Sequence, residues 1–281
     1  MRLVLTTLFA MLAFAGNSLL CRVALKSTGI DAASFTTIRI VAGALALWVI
    51  VRVRGGGPEA AGSWRSAFWL FAYAAGFSFA YITLPASTGA LLLFGAVQAT
   101  MIGYGLWKGE RLRGVQVAGL AVAFAGLAGL LLPGVSAPPA LGAALMLFAG
   151  FSWGLYSLRG RAAGDPTRVT AGNFLRAVPF AALVSLAMYT RASIDMEGAI
   201  YAVVSGALAS GVGYAIWYTA LKGLKATTAA TVQLSVPVIA AFGGVALLGE
   251  AITLRLILSS AAILGGVALV IRSPDHEQEN P

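Results

Sequence analysis

The chain alternates long apolar blocks with short polar punctuation. Apolar runs of about 17 to 23 residues, enough to cross a ~30 Å hydrocarbon layer as helices, fall at about 3–21, 34–51, 65–83, 87–107, 114–132, 140–158, 169–189, 198–220, 226–248 and 253–271. Between them lie turn residues: Gly55-Gly56-Gly57-Pro58, Leu84-Pro85, Pro133-Gly134 through Pro138-Pro139, and Gly164-Asp165-Pro166. Backbone amides find no partner in lipid, so a span is a helix or part of a closed barrel. The alternating strands of a barrel are absent. The pattern therefore predicts an all-α integral membrane protein with ten transmembrane helices. The first run is followed by nine more, and Leu19-Leu20 lacks the small residue that a lipoprotein signal carries before its Cys. It reads as helix one and not as a cleaved leader.

The second half repeats the first. Leu84, Ala86, Thr88, Ala90, Gly103 and Glu110 recur 140 positions later as Leu224, Ala226, Thr228, Ala230, Gly243 and Glu250. Phe14-Ala15-Gly16 before Ser18 is echoed by Phe148-Ala149-Gly150 before Ser152, and Arg39 by Arg176. The expected domains are a five-helix repeat over 1–133, a second over 140–272, and a polar cytoplasmic tail over 273–281. Five is odd, so the second repeat enters the membrane from the opposite side and is inverted. A pseudo-two-fold axis then lies in the membrane plane around a central cavity, the arrangement that supports alternating access.

Composition agrees with membrane burial: 59% of residues are hydrophobic, 10% are charged, and the mean hydropathy is +0.87. The net charge of +9 gathers at helix ends and does not point to nucleic acid. With the N-terminus inside, Arg2, Arg52, Arg54, Lys108, Arg113, Arg159 and Arg168 face the cytoplasm, and Arg22, Lys26 and Arg191 face outward. Both termini are then cytoplasmic. One Cys and one His leave no disulfide and no metal cluster, and no phosphate-binding glycine loop is present. No cofactor or metal is expected. A membrane enzyme would need a nucleophile with its base, and a sensor or assembly protein a soluble domain; neither shows in the sequence.

Gly109-Glu110 and Gly249-Glu250 each close the fourth helix of a half, and Gly126 and Gly265-Gly266 follow in the fifth. Together with Arg39 and Arg176, this doubled pattern resembles the EamA-type repeats of the drug/metabolite transporter superfamily, over about residues 3–271. Phe14-Ala15-Gly16-Asn17-Ser18, the length and the aromatic content look most like the bacterial YddG-type amino acid exporters. The resemblance implies a multi-pass transporter of the bacterial inner membrane, with an amino acid or small metabolite as substrate and helices one, three, four, six, eight and nine around the cavity. A monomer is sufficient.

Polar groups within spans usually face a cavity or another helix. The candidates for substrate contact are Asn17, Ser78, Tyr81, Gln98, Ser152, Trp153, Tyr156, Tyr214 and Gln233. Gln98 and Gln233, near mid-depth, offer both donor and acceptor to a zwitterion, or an amide bond between helices. The aromatic residues offer a wall for a hydrophobic side chain. Trp217 and Tyr218, near a helix end, read as interfacial anchors. Arg39 and Arg176, within about two turns of their helix starts, are expected to snorkel or bind backbone carbonyls, with carboxylate binding as the alternative. Glu110 and Glu250 read as structural, binding amides or basic loop residues, and Pro179 and Pro237 as helix bends.

No Asp, Glu or His lies in mid-span. The usual intramembrane proton carriers are missing, and the first helix carries Asn17 where the small multidrug antiporters rely on a glutamate. The sequence favours facilitated export of a neutral or zwitterionic solute, with proton-coupled drug or metabolite efflux as the alternative.

Overall fold

The computed structural model describes residues 2–56, 61–109, 112–132, 134, 137–160, 165–221, 224 and 232–272. These residues form α1 (Arg2–Ser27), α2 (Ala32–Val53), α3 (Trp64–Tyr81), α4 (Ala86–Trp107), α5 (Gly114–Leu131), α6 (Ala140–Gly160), α7 (Pro166–Ala187), α8 (196–221), α9 (Ser235–Leu248) and α10 (Leu254–Arg272). The helix α8 runs as Met196–Val204, a π-helical stretch Ser205–Val212, and Gly213–Leu221. The described residues contain no strand. Seven of the helices are long and apolar enough to cross a membrane, and α9 and α10 add shorter apolar helices. The eighteen residues of α3 include Arg65, Ser66, Tyr73, Ser78 and Tyr81, which leave it below the seven in hydropathy.

Local chemistry sets the ends. Asp31 caps α2 by accepting from Ala33 N and Ser34 N at 2.9 and 3.0 Å. Ser63 caps α3, Asp165 caps α7 with Pro166 at its first position, and Asp195 caps α8. Gly249, at φ 61°, stops α9 in the left-handed region, and Gly109, at φ 95°, follows α4. A side chain is strained at these angles, which accounts for the glycine in both Gly-Glu pairs. Pro237 lies in the first turn of α9. It has no N–H to reach the Gln233 carbonyl, and the helical path breaks at Leu234.

The principal packings are unchanged when helix n is exchanged with helix n+5. The pairs α2/α7, α4/α9 and α5/α10 map onto themselves, α3/α6 maps onto α8/α1, α4/α6 onto α9/α1, and α2/α8 onto α7/α3. The symmetry extends to single residues. Gly126 abuts Ile263 and Gly266 abuts Ala123, two contacts interchanged by the 140-residue shift. The self-paired helices are antiparallel. Gln116, early in α5, donates to the Val270 carbonyl late in α10, and Arg255, early in α10, donates to the Leu132 carbonyl just after α5. Thr37, early in α2, meets Ala181 and Ser185, late in α7. A two-fold axis relating antiparallel neighbours is perpendicular to them, so it lies in the membrane plane. The repeats are inverted.

Helices of this kind gain little from water exclusion among themselves and associate through close packing of small residues. A Cβ at Gly206 on α8 would collide with the Arg39 carbonyl on α2, whereas one at Gly16 meets nothing. Gly206→Ala is expected to lower stability by about 1–3 kcal/mol, and Gly16→Ala to raise it slightly; thermal unfolding in detergent checks both.

Asp31 also accepts from Ser193 N at 2.9 Å, joining the start of α2 to the segment before α8. Burial acts to raise its pKa, but hydrogen bonds from Ser34, Ser193 and Ala33 prevail and hold the carboxyl below its ordinary value of 3.8. Because the folded value is depressed, the contribution is complete above pH 3.8 and disappears as pH falls through the folded value. Asp31→Ala should cost about 1 kcal/mol at neutral pH. The gap from the parent should close in acid, as read from unfolding across a pH series.

Candidate functional site

Four helices that form two symmetry-related pairs, α1 with α6 and α3 with α8, bring their aromatic residues together at the middle of the bundle. Trp153 of α6 is the hub, with ring centroids 4.8 Å from Tyr73, 4.9 Å from Tyr214, 5.5 Å from Tyr156 and 6.4 Å from Phe14. Phe14 also meets Tyr214 at 5.9 Å and Trp217 at 5.8 Å. Phe14, Asn17, Tyr73, Phe77, Trp153 and Tyr214, with Leu93 and Phe94 from α4, enclose a chamber of about 20 Å³. That volume holds about one water, so the rings must separate before a solute the size of an amino acid enters.

The polar groups around the chamber are uncharged apart from Arg39. Asn17 Nδ2 donates to Tyr73 Oη at 3.2 Å, and Ser205 Oγ donates to Asn17 Oδ1 at 2.6 Å. Ser205 opens the π-helical stretch of α8, a local irregularity that often marks functional positions. Asn173 Nδ2 reaches Tyr156 Oη at 3.4 Å. Tyr214 Oη, Gln98 Nε2, Ser210 Oγ and Arg39 Nη1 are buried without a hydrogen-bond partner in the protein. Unsatisfied polar groups of this kind are uncommon in folded interiors.

Among the residues singled out from the sequence, Asn17, Trp153 and Tyr214 line the chamber, and Tyr156 packs against Trp153. Gln98 is buried on α4. Ser78 and Ser152 are fully buried but donate to Ala74 O and Phe148 O of their own helices. Tyr81 stacks edge-on against Phe77 at 4.8 Å and donates to Ala86 O, toward one end of the bundle. Gln233 is half-buried just before α9 and does not line the chamber. Glu110 lies outside the described residues. Trp217 is 5% exposed and belongs to the aromatic cluster, a correction to its reading as an interfacial anchor: the π-helical stretch precedes it in α8 and alters which face of the helix it occupies. Phe14, Tyr73 and Ser205 were not singled out. Tyr73, a polar aromatic deep in an apolar run, carried the clearest signal.

The two arginines differ. Arg176 Nη1 donates to the carbonyls of Ala61 and Gly172. Arg39 is 2% exposed, so it does not snorkel; its guanidinium carbon stands 5.3 Å from the Tyr73 ring centroid and 4.9 Å from that of Phe77.

The ends of the bundle differ too. At one end Arg22 Nε pairs with Glu250 Oε1 at 3.2 Å, and its Nη1 donates to Tyr81 O and Ile82 O at 2.9 and 3.1 Å. Glu250 Oε2 accepts from Ala86 N at 2.8 Å, and Lys26 donates to Leu248 O at 3.3 Å. The ends of α1, α3 and α9 and the start of α4 are thus tied together. At the other end a cleft of about 570 Å³ opens among Ser63, Ser66, Trp69, Tyr104, Arg159 and Val169.

Residues 140–272 match the model of the EamA-like transporter family. An uncharacterized protein of Pseudomonas aeruginosa is 57% identical over 271 residues, 96% of this chain and 94% of that one. The chain belongs to the EamA-like transporter family. The threonine/homoserine exporter RhtA of Salmonella typhimurium is 34% identical over 147 residues, 49% of this chain and 48% of the exporter. A solved crystal structure superposes with a TM-score of 0.67 at 20% identity, covering 94% of this chain and 97% of that one, which attests to the shared fold. This EamA-like protein is a multi-span bacterial inner-membrane protein and a transporter of small molecules.

In Glu250→Gln, Arg22 loses its ionic partner in a mostly buried place. Breaking such a pair costs on the order of 3 kcal/mol. The tied end should loosen, and Cys21, fully buried beside Arg22, should react faster with a membrane-permeant maleimide than in the parent.

Proposed function

We propose that the protein exports amino acids, aromatic or other hydrophobic ones in preference, or similar small metabolites, by facilitated alternating access. The observation that carries this reading is the aromatic chamber between the repeats, walled by six residues of the first and by Trp153 and Tyr214 of the second, and bordered by uncharged amides and hydroxyls. Aromatic walls suit an apolar side chain, and Asn17 and Tyr214, with Gln98 one turn along α4 from Phe94, suit the polar end of a zwitterion. The partial similarity to RhtA, named as a threonine/homoserine exporter, supports the amino acid class. Both termini are assigned to the cytoplasm, so the cleft beside Ser66 and Arg159 faces inward and the Arg22–Glu250 end faces outward. Each chamber wall comes from this one chain, so a monomer suffices.

The repeat supplies a route between states. The 140-residue shift carries Glu250 and Ala86 onto Glu110 and Ala226. If the repeats exchange conformations, the outer tie breaks and the inner cleft closes, at similar energy. No Asp or Glu among the described residues lines the chamber, which supports facilitation over proton exchange.

Counterflow in proteoliposomes against a panel of amino acids is the direct measurement. Saturable exchange is expected, with Trp153→Ala and Gln98→Ala each lowering kcat/KM by about tenfold, or ~1.4 kcal/mol. An imposed pH gradient should leave accumulation unchanged. Absence of saturable flux would overturn the exporter reading, and robust proton-driven accumulation would replace facilitation with antiport.

A further inference from the structure

Arg39 is a full positive charge in the middle of the bundle with no carboxylate among the described residues paired to it. Its side chain is among the largest fully buried ones, and Nη1 has no hydrogen-bond partner in the protein. Asp31, the acid nearest to it along the sequence, caps α2 and binds Ser193, and Glu250 pairs with Arg22. The mid-span segments contain no Asp or Glu. What faces the guanidinium is aromatic, the rings of Tyr73 and Phe77, and both rings also line the chamber. Cation–π contact offsets part of the desolvation of a buried cation but leaves Nη1 unused.

The repeat supplies an internal comparison. Arg176, the counterpart of Arg39, uses Nη1 on the carbonyls of Ala61 and Gly172, as a structural arginine does. Arg39 stands one ring layer behind the chamber wall with Nη1 unengaged. A charged group inside a membrane protein and free of a structural partner is a functional group by default.

We infer that Arg39 is the receptor for a carboxylate on the transported solute. This rests on the exporter reading and deepens it. When Tyr73 and Phe77 part to enlarge the chamber, the guanidinium comes to face the solute and its planar fork pairs with the two carboxylate oxygens. One arginine neutralises one negative charge, so the site takes a monocarboxylate. In a zwitterion the ammonium is then left to Asn17 Oδ1, Tyr214 Oη and the ring faces, all bordering the same chamber. Solutes that lack a carboxylate leave Arg39 unanswered, and cationic amines are repelled by it.

The test compares phenylalanine with phenylalaninamide and 3-phenylpropionate, and threonine with threoninamide, as competitors and as counterflow substrates of the parent, Arg39→Gln and Arg39→Lys in proteoliposomes. In the parent, the free carboxylate is expected to be favoured over the amide by at least about tenfold, the scale of a lost charge-assisted pair. Arg39→Gln should lower kcat/KM for the acids by a similar factor and abolish the preference over amides, and Arg39→Lys should retain part of it. The parent alone decides the matter if Arg39→Gln does not fold: amides that compete as well as amino acids overturn the inference while leaving amino acid export standing. Carriage of 3-phenylpropionate without either amino acid supports Arg39 and overturns the amino acid reading. No saturable flux of any carboxylate overturns both.

Discussion

Hydrocarbon offers no hydrogen bond, so every polar group carried into the membrane must find its partner within the chain. Backbone amides meet this demand by forming helices. Ser78, Ser152 and Thr100 meet it by donating to carbonyls four residues back, and Asn17 by bridging α3 and α8 through Tyr73 and Ser205. The exceptions include a group near the bundle centre. Tyr214, Ser210 and Arg39 lie on helices that meet at the bundle centre, and each holds a buried donor without a partner.

Inverted pairing places that centre between the repeats, where α1, α3 and α4 of one meet α6 and α8 of the other. The Arg22–Glu250 tie joins α1, α3, α4 and α9 at one end, and a cleft opens at the other. In the proposed mechanism, two equivalent halves held in unequal arrangements form a two-state system in which the states exchange roles. Glycine contacts such as Gly126 with Ile263 and Gly266 with Ala123 let the helices approach closely while leaving few side chains to interlock.

Arg39 and Arg176 show how far duplication constrains function. They occupy equivalent positions, yet one is bound by backbone carbonyls and the other rests against aromatic rings. Both repeats keep the fold with a cation early in their second helix. What surrounds that cation differs between the repeats, and the rings that face Arg39 are also walls of the chamber.

Hydropathy and the 140-residue echo were enough to determine helices, membrane class, duplication and inversion, because lipid imposes the first two and an odd helix count imposes the last. Asn17, Trp153 and Tyr214, which line the chamber, were legible as candidates, since polar and amphipathic groups in mid-span need a reason to be there. Their neighbours Phe14, Tyr73 and Ser205 were not, because helices apolar on every face give no period from which to read an inner side. Rotation about the helix axis is decided by packing. Only the tertiary structure therefore moved Trp217 into the aromatic cluster, left Gln233 outside the chamber, tied one end of the bundle through Glu250, and buried Arg39 where depth along the sequence had suggested an escape toward the headgroups.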